Sequence, residues 1–234
     1  MQGIRDFNSR LNDRFFPRCR PRYVGRFREL TKALSLGCAR VLHLGSGPVD
    51  LEPWLPGGSA NPQLLALDAS LRALTGNSGK FRICADAECL PLPSVSVDLI
   101  VAEHVFEHFA RPEACLRECF RVLKRGGRLV ISGPNGRSYI ALAARLTPLR
   151  VHRWARGEAT AFPTFYRFST PRVMRRLAGD VGFAMVGLET FVGEPCYAIF
   201  QPVVHWVLIG YHLLLEKLRP RFNFHITSVA LFRK

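Results

Sequence analysis

Val41-Leu42-His43-Leu44-Gly45-Ser46-Gly47-Pro48 is the stretch on which the fold turns. Three apolar residues interleaved with His43 read as a buried strand. The two glycines that follow let the backbone turn tightly and approach a ligand with no Cβ in the way. A strand that stops in Gly-x-Gly ahead of a helix builds a nucleotide-like site at the carboxyl edge of an open α/β sheet. The same signature also marks an ordinary βα turn, so the stretches downstream decide.

Leu64-Leu65-Ala66-Leu67-Asp68 is a second apolar strand closing on an acid, placed where a carboxylate can accept hydrogen bonds from ribose hydroxyls. A third strand, 81–86, again closes on an acid, Asp86. The fourth is 96–102, and the fifth is 128–132, launched by Lys124-Arg125-Gly126-Gly127. Between these two, Cys115, Leu116, Cys119, Phe120 and Leu123 recur at helical spacing and predict a helix over 112–123. Strands alternating with helices predict a parallel sheet with right-handed crossovers.

These motifs together resemble the class I S-adenosylmethionine-dependent methyltransferases. The residues that carry the resemblance are Val41–Gly47, Asp68-Ala69-Ser70, Asp86-Ala87-Glu88-Cys89-Leu90-Pro91-Leu92-Pro93, Val97-Asp98-Leu99-Ile100 and Arg121–Gly127. The branch they resemble includes ubiquinone and menaquinone methyltransferases, and the resemblance covers roughly residues 38–136. It implies a Rossmann-like, seven-stranded, mostly parallel sheet between helices, and S-adenosylmethionine as cofactor. It also implies that Gly45, Ser46 and Gly47 border the methionine end of that cofactor and Asp68 holds the ribose. Asp86 and Ala87 would meet the adenine, and Ala69, Ser70 and Glu103 complete the set. Two positions depart from the family: His43 stands where an acid is usual, and Val49 where a third glycine is usual. For Asp68 and Asp86 the plainer alternative is a helix N-cap.

The fourth strand leads into Glu103-His104-Val105-Phe106-Glu107-His108. His104 and His108 are four apart and would share a face if this run were helical. Either is a candidate general base, with His108 the favoured one, because imidazole titrates near working pH. Alternatively, His104 lines the methionine end and His108 caps structure. One His pair without a third ligand does not define a metal site. Gly133-Pro134-Asn135-Gly136 resembles the Pro-Asn step found in the family after the fifth strand, and it lacks the signature of enzymes that methylate DNA bases.

The 234 residues are read as one domain: an N-terminal helical lid over 1–36, the cofactor-binding core over 38–136, and a substrate lid with the closing strands over 137–234. Seven cysteines without a Cys-x-x-Cys pair argue against a disulfide framework or a zinc site. With no apolar leader at the N-terminus, the expected setting is cytoplasmic. The net charge of +15 is concentrated in two places. Residues 1–28 hold eight arginines against two aspartates, and 137–176 hold nine arginines against one glutamate. In the resembling family both segments lie over the substrate mouth. A basic collar there points to an acidic partner such as an anionic membrane surface, nucleic acid or a phosphorylated substrate.

Ile4, Phe7, Leu11 and Phe15 share a helical face over 4–16, which suits either a membrane surface or a lid packed on the core. Pro17 and Pro21 read as a connector, and 26–36 as a helix into the first strand. A short helix is expected near 49–55 and another after Asp68, ending by Thr75. The arginines and aromatics of 137–170 suit base stacking or a lid over a flat, greasy acceptor. Thr170 and Pro171 open a helix, and 183–191 and 225–232 are the last two strands. Between them, the insertion 194–223 is longer than a hairpin needs. Residues 197–215 carry no formal charge, with Gln201, His205, His212 and Glu216 on one polar stripe. That run could just cross a bilayer, yet Pro202 and its polar stripe favour an interfacial, substrate-lining or dimer-forming helix. The expected function is methyl transfer to a hydroxyl or activated carbon of a lipophilic or aromatic small molecule. The alternatives are an RNA methyltransferase and a non-catalytic binding module.

Overall fold

The computed structural model describes residues 2–16, 19–57, 62–139, 141–142, 163–192, 202–217 and 225–234. Helices α1 (Gln2–Phe15) and α2 (Cys19–Ser35) precede β1 (Arg40–Leu44). There follow β2 (Gln63–Asp68), α3 (Leu71–Thr75), β3 (Phe81–Cys84), β4 (Val97–Glu103), α4 (Pro112–Val122) and β5 (Leu123–Pro134). The chain closes with α5 (Pro171–Val181), β6 (Ala184–Phe191), α6 (Pro202–Lys217) and β7 (Thr227–Arg233). The seven strands lie in the order β3-β2-β1-β4-β5-β7-β6. β1 is parallel to β2 and β4, β2 to β3, and β4 to β5, whereas β7 runs antiparallel between β5 and β6.

Both faces of the central strands are buried, which is why they read as nearly continuous apolar runs. Leu42, Leu44, Ile100, Ala102, Leu129 and Ile131 face one layer, with Cys115, Leu116 and Cys119 of α4 and Met174, Leu177 and Ala178 of α5. Val41, Leu99, Val101 and Val130 face the other, with Phe27 of α2 and the loop residues Leu51 and Leu55. α5 begins as its sequence requires: Thr170 caps it by accepting from the Val173 N–H, and Pro171 takes the first turn.

The order of strands reverses at β1 and β4, where Leu44 pairs with Ala102. The loops leaving these two strands diverge there and open a crevice at the carboxyl edge of the sheet.

Several boundaries differ from expectation. α2 starts at Cys19 and takes Pro21 into its first turn, where a proline's missing N–H costs nothing, so little connector separates it from α1. The third strand ends at Cys84, leaving Asp86 in the following turn with its carboxylate accepting from the Glu88 N–H at 2.9 Å. Only a 3-10 turn, Glu52–Trp54, forms where a helix over 49–55 was expected. Pro53 lies within the turn and Pro56 just after it, and both break longer hydrogen-bond ladders. β5 begins at Leu123, directly behind α4.

Of the apolar stripe of α1, Leu11 packs against the small cluster of Phe16 and Ile209, and the rest faces outward. Ile4, Phe7 and Phe15 are exposed, and Asn8 and Asn12 are buried instead. On α6, likewise, His205 and His212 face inward. No helix among the described residues is long and apolar enough to cross a membrane. In the arginine–aromatic segment, Phe168 belongs to the core, stacked on Phe106 at 5.0 Å and near Phe232 at 6.1 Å, so it is not offered to a base. Tyr166 is also buried. Trp154, Phe162 and Gln201 lie outside the described residues.

Candidate active site

The loop after β1 is fixed from two sides. Gly45 and Gly47 both hold left-handed backbone angles, φ +66° and +51°. A side chain at Gly45 would be strained by its φ and would collide with the methyl groups of Val105. The Ser46 N–H donates to the Leu67 carbonyl at 2.9 Å. The Asp68 carboxylate then clamps both turns: one oxygen accepts from the Gly47 N–H and the other from the Ser70 N–H, each at 2.8 Å. Buried Asn77 finishes the loop by donating to the carbonyls of Gly47 at 3.2 Å and Val49 at 2.7 Å.

Asp68 does not cap α3. Ser70 does, accepting from the Ala73 N–H at 3.2 Å. Asp68 thus stands at the end of β2 beside open space, since a Cβ added at Gly47 would meet nothing nearer than its carboxylate oxygen at 4.0 Å. Ala69 and Asp86 are exposed, while Ala87 packs into the core. Ser46 supplies a buried hydroxyl with no hydrogen-bond partner among the described residues. A glycine-lined turn, an orphaned hydroxyl and an acid aimed past the turn fit a ligand carrying an amino acid end and a ribose.

On the β4 side, His104 follows the strand with φ +54° and donates its N–H to the Ser132 carbonyl at 2.9 Å. A left-handed conformation at a non-glycine residue is costly, and such strain gathers at functional sites. The 3-10 turn Phe106–His108 comes next, so His104 and His108 do not share a helix face as their spacing suggested. Instead each is held separately. His104 Nδ1 lies 3.3 Å from a Glu107 carboxylate oxygen, and its Nε2 lies 3.1 Å from the Tyr23 hydroxyl. His108 Nδ1 lies 2.7 Å from the Pro163 carbonyl, which can only accept, so that nitrogen carries the proton. The Phe165 and Tyr166 N–H groups donate to the Glu107 carbonyl at 2.7 and 3.2 Å, tying this later segment to the same turn.

Tyr23, brought in by α2, joins the site together. Its hydroxyl also lies within 3.2 Å of Glu103 Oε1 and 2.9 Å of Ser132 Oγ. Burial, with the neighbouring charge of Glu103, drives the phenol's pKa far up, so it stays protonated at any working pH. At His104, desolvation works downward, but the hydrogen bond and charge of Glu107 and the charge of Glu103 outweigh it and raise the imidazole's pKa. Glu107 is itself buried, with one carboxylate oxygen unpartnered. Sequence reading missed Tyr23, Glu107 and Ser132. Tyr23 is 81 positions from His104 and sits in no motif.

Sheet order, glycine turn and paired acids together define the class I S-adenosylmethionine-dependent methyltransferase fold. Residues 42–131 match the family model described as a methyltransferase domain. S-adenosylmethionine is the cofactor that this family implies, and the loop geometry fits it.

The chain is similar to the malonyl-acyl-carrier-protein O-methyltransferase of Methylococcus capsulatus, 39% identical over 40% of this chain and 37% of the relative. It is similar also to the demethylmenaquinone methyltransferase of Thermotoga maritima, 35% identical over 45% of this chain and 48% of that protein. The chain thus spans less than half the length of these curated relatives. Among solved structures, an S-adenosylmethionine-dependent methyltransferase from Archaeoglobus fulgidus superposes with a TM-score of 0.56. It is 21% identical, and the match covers 88% of this chain and 94% of the other. That structural likeness covers 88% of the chain, while the family model matches residues 42–131.

Proposed function

We propose that this protein transfers a methyl group from S-adenosylmethionine to a hydroxyl or activated carbon of a lipophilic or aromatic small molecule taken up at a membrane surface. The observation that carries the reading is the Tyr23–His104–Glu107 line of contacts, set beside the Gly45–Gly47 turn because β1 and β4 are neighbours. When bound, the cofactor supplies an electrophilic methyl group open to in-line displacement. Gly45, Ser46 and Gly47 would border its methionine end, Asp68 its ribose and Asp86 with Ala87 its adenine. Ala69, Ser70 and Glu103 would complete the rim.

The chain's own residues then supply orientation and a proton path. Glu107 holds His104 by its Nδ1–H and stabilises the imidazolium that forms. The acceptor's proton passes to the Tyr23 oxygen as the phenol passes its own proton to Nε2, and the acceptor oxygen or carbon takes the methyl group. His108, fixed on the Pro163 carbonyl, holds the later segment over the edge. Support for a lipophilic acceptor comes from the aromatic surroundings of Tyr23, with Phe191 at 5.9 Å, and from the relative that acts on demethylmenaquinone.

The test is incubation with a bacterial lipid extract and methyl-labelled S-adenosylmethionine. Label enters the lipid fraction, and His104→Ala lowers the rate by about 10²–10⁴-fold with cofactor binding retained. The base must be neutral to work, and Glu107 raises its pKa, so Glu107→Gln moves the acid limb of the rate profile to lower pH. Label entering RNA, or a His104→Ala rate equal to the parent, would contradict the reading.

A further inference from the structure

The α1–α6 pair is built inside out. Its contact carries Asn8 and Asn12 from α1 and His205 and His212 from α6, all buried, beside Phe16 and Ile209. Its outer side carries Ile4 and Phe7 from α1 and Val203, Trp206, Val207 and Leu214 from α6, each at least 43% exposed. On α6 these positions recur at i, i+3, i+4 and i+11, one continuous face, and no formal charge occurs between Pro202 and Leu215. Burying polar groups and leaving aromatic and branched side chains in water reverses the usual order. Such a face is stable when something apolar covers it.

We propose that this face is a docking surface for an anionic phospholipid bilayer, on which α1 and α6 lie in the interface. Three observations select that occupant. First, the chain as a whole is cationic, with a net charge of +15 and eight arginines against two aspartates over residues 1–28, while on α1 and α6 themselves Arg10, Arg14 and Lys217 stand beside Asp6, Asp13 and Glu216. A second copy of so basic a chain would be repelled, whereas an anionic lipid surface attracts it. Second, α6 has 16 residues, roughly 24 Å at the usual helical rise, which is short of a bilayer's hydrocarbon core but suits a helix lying within the headgroup boundary. Third, Trp206 and Tyr211 give α6 the aromatic residues that settle at membrane–water interfaces.

The docking face is tied to the chemistry. His212 Nε2 lies 3.2 Å from the hydroxyl of Tyr139, which follows the end of β5 at the carboxyl edge of the sheet. Phe16 packs edge-on to His212 at 5.7 Å, and α2, starting three residues on, delivers Tyr23 to the site. A bilayer under α1 and α6 therefore lies beside the crevice, and a lipophilic acceptor reaches it from the membrane without crossing water. In this the inference deepens the proposed function.

The experiment is flotation of the full chain with vesicles of phosphatidylglycerol and phosphatidylcholine, against vesicles of phosphatidylcholine alone, without cofactor. Binding to the anionic vesicles is expected, weakened by salt, and roughly tenfold or more weaker for Trp206→Glu/Val207→Glu. Circular dichroism and S-adenosylmethionine titration of that variant establish that the core still folds. No flotation with anionic vesicles, undiminished flotation of the variant, or self-association that the substitutions abolish would each overturn the proposal. Because neither cofactor nor turnover enters the flotation, its failure leaves the methyl-transfer reading standing, and failure of methyl transfer leaves the flotation result standing.

Discussion

His43 is the residue whose environment costs the fold most plainly. It occupies the middle of β1, fully enclosed, with its Nδ1 lacking any hydrogen-bond partner. Burial lowers its pKa from 6.5 to about 4, against an opposing pull from the charges of Asp50 and Asp68. The folded chain thus holds a neutral imidazole that the unfolded chain protonates below its ordinary pKa. The stability this confers is complete above pH 6.5 and drains as pH falls toward about 4, at about 1.4 kcal/mol per unit. Urea unfolding should show a loss of roughly 2 kcal/mol between about pH 7 and about pH 5 that His43→Leu removes. An equal loss in parent and variant would show that His43 is not the group responsible. Gly45 makes the complementary case, since its φ and its approach to Val105 leave no room for a Cβ. Gly45→Val should abolish S-adenosylmethionine binding in titration calorimetry while leaving the sheet's circular dichroism signal in place.

At the scale of elements, caps and strands follow local rules, and helix orientation does not. Thr170 accepts from the Val173 N–H, legible from Ser-Thr-Pro ahead of an apolar stripe, and Gly182 closes α5 with φ +110°. Thr170→Ala should cost about 1 kcal/mol in equilibrium unfolding with an unchanged denaturant slope, and no change at all would mean the cap is redundant. The five strands of the core were readable because each is an apolar run between turn residues. Asp68 was readable because an acid ends the second of them. The pattern Ile4, Phe7, Leu11, Phe15 established which residues share a face of α1 but not which way that face points, since periodicity is blind to orientation. The spacing of His104 and His108 misled for a related reason: four residues make one face only inside an α-helix, and here a left-handed residue and a 3-10 turn intervene. Tyr23 could not be found at all from local sequence, because its partners are assembled by the packing of α2 on the sheet.

Across the whole molecule, two designs are joined. A mostly parallel sheet carries the Gly45–Gly47 turn, α2 supplies Tyr23 beside it, and α1 with α6 supplies an apolar outer face. The sheet order places the diverging loops of β1 and β4 side by side, and every element of the proposed chemistry rests on that juxtaposition. The measurement that tests it most directly is calorimetric titration with S-adenosylmethionine and S-adenosylhomocysteine, on the parent chain and on Asp68→Ala. Loss of the carboxylate frees the Gly47 and Ser70 N–H groups and removes the acid proposed to hold the ribose. Binding in the micromolar range that falls by roughly tenfold or more, about 1.4 kcal/mol, is the predicted result. No binding to the parent at millimolar cofactor, or equal binding by both chains, would contradict the account.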